Sequence, residues 1–214
     1  VQQLKQQQPN PPPQESDLLP ADLMRPLGST FRRLAYARSR LQHRPRSFSC
    51  FEEETQITFR NLQVSDQEFV WKMLRYAANE ESPAAVRAQI SIHKYAASWG
   101  KIKGDFGIAA MEKGNPVGEA YGRLWHQEKG YGFVDEETPE LVLAVLPSYQ
   151  SKGIGTKLLT KVISSARDHG YSKLSLSVRS ELPAYHLYKR FGFATVSAYE
   201  NRTGGTSIIM LKHL

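Results

Sequence analysis

A chain of 214 residues, 40% hydrophobic and 10% aromatic, carries enough apolar surface for one folded domain plus a tail. It contains no run approaching the roughly eighteen apolar residues that a membrane-spanning helix requires, and its single cysteine, Cys50, can close no internal disulfide. The formal charge of +7 is uneven: residues 1–50 hold eight Lys or Arg against three acids, so the remainder is nearly neutral and does not read as a nucleic-acid surface.

Residues 1–54 read as a disordered tail of two compositions. Gln2–Gln14 is rich in Gln and Pro, and Met24–Phe51 carries Arg25, Arg32, Arg33, Arg38, Arg40, Arg44 and Arg46 without an acid. Neither half can bury enough apolar surface to order itself. An organelle transit segment, an RNA-contacting arm and a solvated extension all stay open for the basic half. The lone cysteine fits a reducing compartment, so the cytoplasm is expected, or a plastid or mitochondrion if the basic half is a transit segment.

Residues 55–214 read as one domain. Ile57–Phe59 alternates as a short strand, and Ser65-Asp66-Gln67-Glu68 matches a helix capping box. Phe69, Val70, Met73, Leu74, Ala77 and Ala78 form the buried stripe of the helix that follows, and Ser82-Pro83 starts a second helix running toward Trp99. Phe106–Met111 and Val117–Trp125 flank Lys113-Gly114-Asn115-Pro116 as an antiparallel hairpin. Leu141–Leu146 is apolar on both faces, as in a central strand. Ile154, Leu158, Leu159, Val162, Ile163 and Ala166 then recur at helical spacing, with Gly170 just past the end. Leu174, Leu176 and Val178 alternate as a strand, Pro183–Phe193 reads as a short helix, and Ala194–Tyr199 and Ser207–Leu211 form a closing hairpin across residues 201–205. The predicted class is α/β: a mixed sheet of six or seven strands flanked by about four helices.

The junction between Leu146 and Ile154 carries the chemistry. A strand delivers the chain through a Gly-bearing turn to a helix start, where unpaired N–H groups and the positive end of the helix dipole favour a phosphate. Two familiar loops are excluded. Lys152 precedes Gly153, so no Walker A Gly-Lys pair exists, and Leu158 stands where a dinucleotide fingerprint needs its third glycine.

Gln150-x-x-Gly153-x-Gly155 resembles the acetyl-CoA pyrophosphate loop of the GNAT superfamily of N-acetyltransferases. Pro183-Ala184-x-x-Leu187-Tyr188-x-x-x-Gly192-Phe193 resembles that superfamily's second cofactor segment. Trp99-Gly100, Gly104-Asp105-Phe106-Gly107, Gly130-Tyr131-Gly132 and Thr138-Pro139-Glu140 resemble a bacterial-type subfamily without a settled substrate. The resemblance covers residues 55–214 and implies the GNAT fold, with acetyl-CoA in a splay between the fourth and fifth strands.

The same resemblance implies roles for individual residues. Leu143, Ala144 and Val145 would bond the pantetheine through their backbone, and an N–H there would hold the thioester oxygen. Gln150, Ser151, Lys152, Gly153, Ile154, Gly155 and Thr156 would cradle the pyrophosphate, with Lys152 adding a mobile charge. Tyr188 would give a proton to the departing thiolate, and Glu140, opening the fourth strand, would take one from the amine. Glu119, Asp135, Glu136 and Glu137 are alternative bases, each read first as a solvated surface charge. His126 and His186 are weighed as lining residues against ordinary structural roles.

Two positions depart from the superfamily. Ser177 stands where ribosomal-protein acetyltransferases commonly carry Glu, and Leu182 stands where many relatives carry an Asn that touches coenzyme A. No metal is expected, since no Cys pair and no metal-ligand histidine spacing is present. The expected function is direct acetyl transfer from acetyl-CoA to a primary amine of a small molecule or protein, with no membrane or nucleic-acid partner. Monomer and homodimer stay open. The competing readings are a non-catalytic acyl-CoA-binding regulatory module and an RNA-associated protein acting through its tail.

Overall fold

The computed structural model describes residues 56–126 and 129–214; the expectations for residues 1–54, Cys50 included, lie outside the described residues. In chain order the elements are β1 (Ile57–Asn61), α1 (Gln67–Ala78), α2 (Pro83–Ala88), α3 (Ile90–His93), β2 (Phe106–Glu112), β3 (Asn115–Arg123), β4 (Glu140–Val145), α4 (Ile154–Asp168), β5 (Lys173–Arg179), α5 (Pro183–Arg190), β6 (Ala194–Glu200) and β7 (Thr206–His213). The strands form one sheet in the order β1-β2-β3-β4-β5-β7-β6. Every neighbouring pair is antiparallel except β4 and β5. None of the described helices is long and apolar enough to cross a membrane.

Strand alternation divides the core between the two faces of the sheet. Leu141 and Val145 of β4 with Leu174, Leu176 and Val178 of β5 pack against the apolar stripe of α4, Leu158, Leu159, Val162 and Ile163, and against Tyr188 of α5. Ala109, Tyr121 and Val142 on the other face pack against Val70, Trp71 and Leu74 of α1, Val86 of α2 and Ile92 of α3. Val70, Met73 and Leu74 are buried, and each such side chain contributes roughly 1.5–3 kcal/mol of transfer free energy.

Three local expectations change. The capping box expected at Ser65 and Glu68 falls earlier, on the short 3-10 turn Val64–Asp66 that leads into α1, where Asp66 accepts from the Gln63 backbone N–H at 2.8 Å; no side chain caps α1 itself, and Asp66 is held by Arg60 at 2.6 Å. The β2–β3 turn is only Lys113-Gly114, whose positive φ values of 47° and 80° suit the twist of a two-residue hairpin, so Asn115 and Pro116 already belong to β3. The helix expected from Ser82 toward Trp99 breaks at Gln89, whose backbone is extended, giving five helices in place of four.

The segment after α3 is held by tertiary bonds instead. Arg123 donates to the carbonyls of Lys94 at 2.6 Å and Ala97 at 2.9 Å, and the Tyr121 hydroxyl donates to the Tyr95 carbonyl at 3.1 Å. Arg123 also forms a two-pronged, fully buried pair with Asp105 at 2.9 and 2.7 Å, and Asp105 accepts from the Gly100 N–H at 2.8 Å. The Gly104-Asp105 motif thus anchors this segment to the sheet.

Candidate active site

β4 and β5 run parallel but share a single register pair, Glu140 with Ser175, supported by the Ser175 N–H donating to the Pro139 carbonyl at 3.0 Å. Beyond that pair the strands diverge, while β4 stays fully paired to β3 on its other side. Residues 141–145 therefore present an unpaired β4 edge to the fork. A parallel sheet interior ordinarily carries evenly spaced bonds on both sides, so this edge can pair with an extended ligand.

The fork opens toward the start of α4. Gly153 is its N-cap at φ 76°, a left-handed conformation that glycine adopts without strain, and no side chain caps the helix. Ser151 is also left-handed at φ 61°, which turns successive amides inward. The Gln150 amide donates to the Val145 carbonyl at 3.1 Å and fixes the loop to the strand end.

Leu143, Ala144, Val145, Gln150, Ser151, Gly153, Gly155, Thr156, Glu140 and Tyr188 line one cleft of about 1080 Å³. Lys152 and Ile154 do not. Ile154 turns into the core, and the Lys152 ammonium lies 5.1 Å from the ring centre of Tyr149. His126 and His186 are exposed and lie outside the cleft, the latter edge-on to Tyr185.

Glu140 is buried among donors. Its Oε1 accepts from the Tyr95 hydroxyl at 2.8 Å and the Gly132 N–H at 2.8 Å, and its Oε2 accepts from Trp125 Nε1 at 2.7 Å. Burial raises its pKa, the three hydrogen bonds and nearby Lys94 oppose the rise, and the balance falls at about 7. A carboxylate offers about four lone-pair positions, so Oε2 keeps one to use.

The Gly130-Tyr131-Gly132 stretch is the wall of this pocket. A methyl group on Gly130 would lie 1.8 Å from Glu140 Oε2, and one on Gly132 would lie 2.5 Å from the Leu176 carbonyl carbon, just past the last β4–β5 pair. Only hydrogen fits at either place. The Tyr131 N–H donates to the Tyr95 hydroxyl at 2.5 Å, and the rings of Tyr95, Tyr131 and Tyr199 follow one another nearly parallel at 6.2 and 6.4 Å.

Tyr188 lies in the last turn of α5, 6% exposed, against Phe193 at 5.7 Å between ring centres. Burial pushes its phenol well above the ordinary value, so it stays protonated at physiological pH. Its hydroxyl has no hydrogen-bond partner among the described residues and is not sealed from the cleft.

Of the alternative bases, Glu119 is not a surface charge. It is fully buried on the α1 face with neither carboxylate oxygen hydrogen-bonded, and burial, with Asp66 adding to it, raises its pKa strongly. It does not line the cleft. Asp135 is paired with Lys173 at 3.3 Å, and its pKa is lowered by hydrogen bonds.

Tyr95, Trp125, Gly130, Gly132, Tyr131 and Tyr199 are site residues that sequence reasoning missed as such. Tyr95 is 45 positions from Glu140, so no local pattern links them. The Gly-Tyr-Gly stretch was visible as a motif, and its purpose emerges only from the close approach to the carboxylate.

The class is thus an α/β fold with a seven-stranded mixed sheet, forked between its two parallel strands and with an uncapped helix start at the mouth of the fork. Residues 71–193 match the Acetyltransferase (GNAT) family, and the chain belongs to it. It is 39% identical over 59 residues to the [Ribosomal protein bS18]-alanine N-acetyltransferase of Haemophilus influenzae, covering 28% of this chain and 40% of that protein. It is 31% identical over 91 residues to the L-amino acid N-acyltransferase MnaT of Escherichia coli, covering 42% of this chain and 51% of that protein. The matched segments thus span about half or less of the curated relatives. The yncA protein of Salmonella typhimurium, solved with acetyl-CoA, shares the fold, with a TM-score of 0.57, 20% identity and coverage of 74% of this chain and 94% of that one.

Proposed function

We propose that the chain transfers the acetyl group of acetyl-CoA directly to a primary amine. The observation that carries this reading is the fork: it begins at Glu140, opens past the unpaired β4 edge and ends at the uncapped N-terminus of α4. The residues fit the thioester in three ways. The β4 edge at residues 143–145, where the Val145 carbonyl already accepts from Gln150, can bond a pantetheine through those backbone groups that face the fork, the amides around Gly153 suit a diphosphate, and Tyr188 offers a protonated hydroxyl.

The bound thioester supplies an activated acetyl carbon, and the protein handles two protons around it. The neutral amine attacks, so that a C–N bond forms and the C–S bond breaks. Glu140, with a pKa of about 7, takes the ammonium proton through the lone pair left on Oε2. Tyr188 donates to the departing thiolate, whose pKa resembles that of a thiol at about 8.5. Among the described residues that line the cleft there is no cysteine, and a ternary complex without an acyl-enzyme is the route this reading takes.

The two relatives named above act on different acceptors, and the fold similarity supports no choice between them. The test is thiol release from acetyl-CoA across a panel of free amino acids, polyamines, aminoglycosides and peptide N-termini, with the acetylated amine identified by mass. Turnover with at least one amine is expected. Tight acetyl-CoA binding with no amine-dependent thiol release would contradict transfer and leave a binding module.

A further inference from the structure

The acceptor half of the cleft lies on the α1–α3 face of the sheet, opposite the face covered by α4 and α5. Along β5, Leu174, Leu176 and Val178 point into the α4 side, so Ser175, Ser177 and Arg179 point to the acceptor side. Across the sheet Arg179 is in register with Ser207, which in turn pairs with Tyr199. Between Arg179 and Tyr199 the sheet thus presents two serines to the cleft, Ser177, whose hydroxyl shares a hydrogen bond with the Tyr199 hydroxyl, and Ser207, which accepts from Asn201 Nδ2 at 3.4 Å.

The charges around this space do not cancel. Arg202 is committed to Glu80 at 2.6 Å. The Arg179 side chain has no ion pair or hydrogen bond among the described residues, and neither carboxylate that lines the cleft, Glu140 or Glu200, pairs with it. Residue 177, two positions earlier on the same face and about 6.7 Å away along the strand, carries a hydroxyl bonded to the Tyr199 hydroxyl at 2.9 Å rather than a carboxylate that could neutralise it. An unpaired guanidinium, a carboxyl base at the fork and an aromatic wall of Tyr131 and Tyr199 thus surround one space.

The geometry points to an acceptor that carries a carboxylate beside its amine: a free amino acid with an apolar or aromatic side chain, its carboxylate on Arg179 and its amine turned toward the fork. This rests on the acetyl-transfer reading above. The reaction then joins the amino nitrogen to the acetyl carbon, breaks the C–S bond, and yields an N-acetyl amino acid and the free thiol of coenzyme A. A peptide N-terminus, whose neighbouring carboxyl is an amide, leaves Arg179 unpaired.

The test compares phenylalanine and leucine with phenylalaninamide and leucinamide as acceptors for the full chain, in wild type and Arg179→Gln. The amides have the less basic amines, more of which are neutral at pH 7.5, so intrinsic reactivity favours the amides. Wild type is expected to prefer the acids by about ten- to hundredfold in kcat/KM, the range of a charge-assisted hydrogen bond. Arg179→Gln is expected to erase most of that preference through the acceptor KM, with the acetyl-CoA KM unchanged.

The wild-type comparison alone keeps the proposal falsifiable if the variant folds poorly. Equal use of acid and amide, or turnover of peptides or polyamines with no free amino acid accepted, overturns the acceptor class while leaving acetyl transfer intact. A raised acetyl-CoA KM in Arg179→Gln with the acid preference kept overturns it too, since the guanidinium would then serve a phosphate. No amine-dependent turnover at all removes both readings.

Discussion

Glu140 sits between two opposed influences, burial that favours its neutral form and three donated hydrogen bonds that favour its charge, and the outcome near 7 suits a base. Below that pH, both the amine and Glu140 must lose a proton for reaction. The logarithm of kcat/KM should therefore rise with a slope approaching two below pH 7 and one above it. In Glu140→Gln the slope should be one throughout, with the rate lowered at least about a hundredfold. An unchanged wild-type slope in that variant removes Glu140 from the base role.

Gly130 offers a second test of the same carboxylate. Gly130→Ala places a methyl where Glu140 Oε2 now lies, so the side chain must move or the 130–133 stretch must open. Activity should fall as far as in Glu140→Gln while acetyl-CoA affinity changes little; full activity would show that the carboxylate's position is unimportant. For Tyr188→Phe a drop of about tenfold in kcat is expected with no change in acetyl-CoA affinity.

β4 and β5 pair at Glu140 and Ser175 and part beyond that point. The apolar runs, the helix periodicity of α4 and the alternation of β5 were legible in the sequence because each reflects one element's own burial. The exact place where the strands part was not, because it depends on the 130–133 stretch lying against β5 at Leu176 and Ser177. The same holds for the broken second helix. Its local signals favour helix as far as Trp99, and past α3 the carbonyls of Lys94, Tyr95 and Ala97 accept instead from Arg123 and Tyr121, some 25–30 residues away. Removing one half of the buried Arg123–Asp105 pair leaves a stranded charge, so Asp105→Ala should cost about 3–5 kcal/mol in urea unfolding. A loss below about 1 kcal/mol would mean that the 94–105 segment holds itself.

Across the molecule, charge was legible as a count and not as a position. Glu119 read as one surface acid among several, yet it lies under α1 with no partner, a place that no local pattern marks. Its folded pKa is raised above its unfolded value, so the native state binds more protons than the unfolded one above the usual carboxyl range, and stability falls as pH rises. Glu119→Gln removes that loss. It should match wild type near pH 4 and exceed it by about 1 kcal/mol or more at pH 8, since each pKa unit of difference is worth about 1.4 kcal/mol. A variant that loses stability with pH as steeply as wild type would contradict the neutral, buried state of Glu119.

The central claim is that the bared amides at the start of α4, facing the β4–β5 fork, hold coenzyme A by its diphosphate. Calorimetric titration of the full chain with coenzyme A tests it most directly, alongside Gly153→Asp, which puts a carboxylate and a disfavoured φ at the helix cap. Binding in the micromolar range by wild type, weakened at least about a hundredfold in a variant that still unfolds cooperatively, is the predicted result. No heat from wild type at millimolar coenzyme A, or equal affinity in the two proteins, would contradict it.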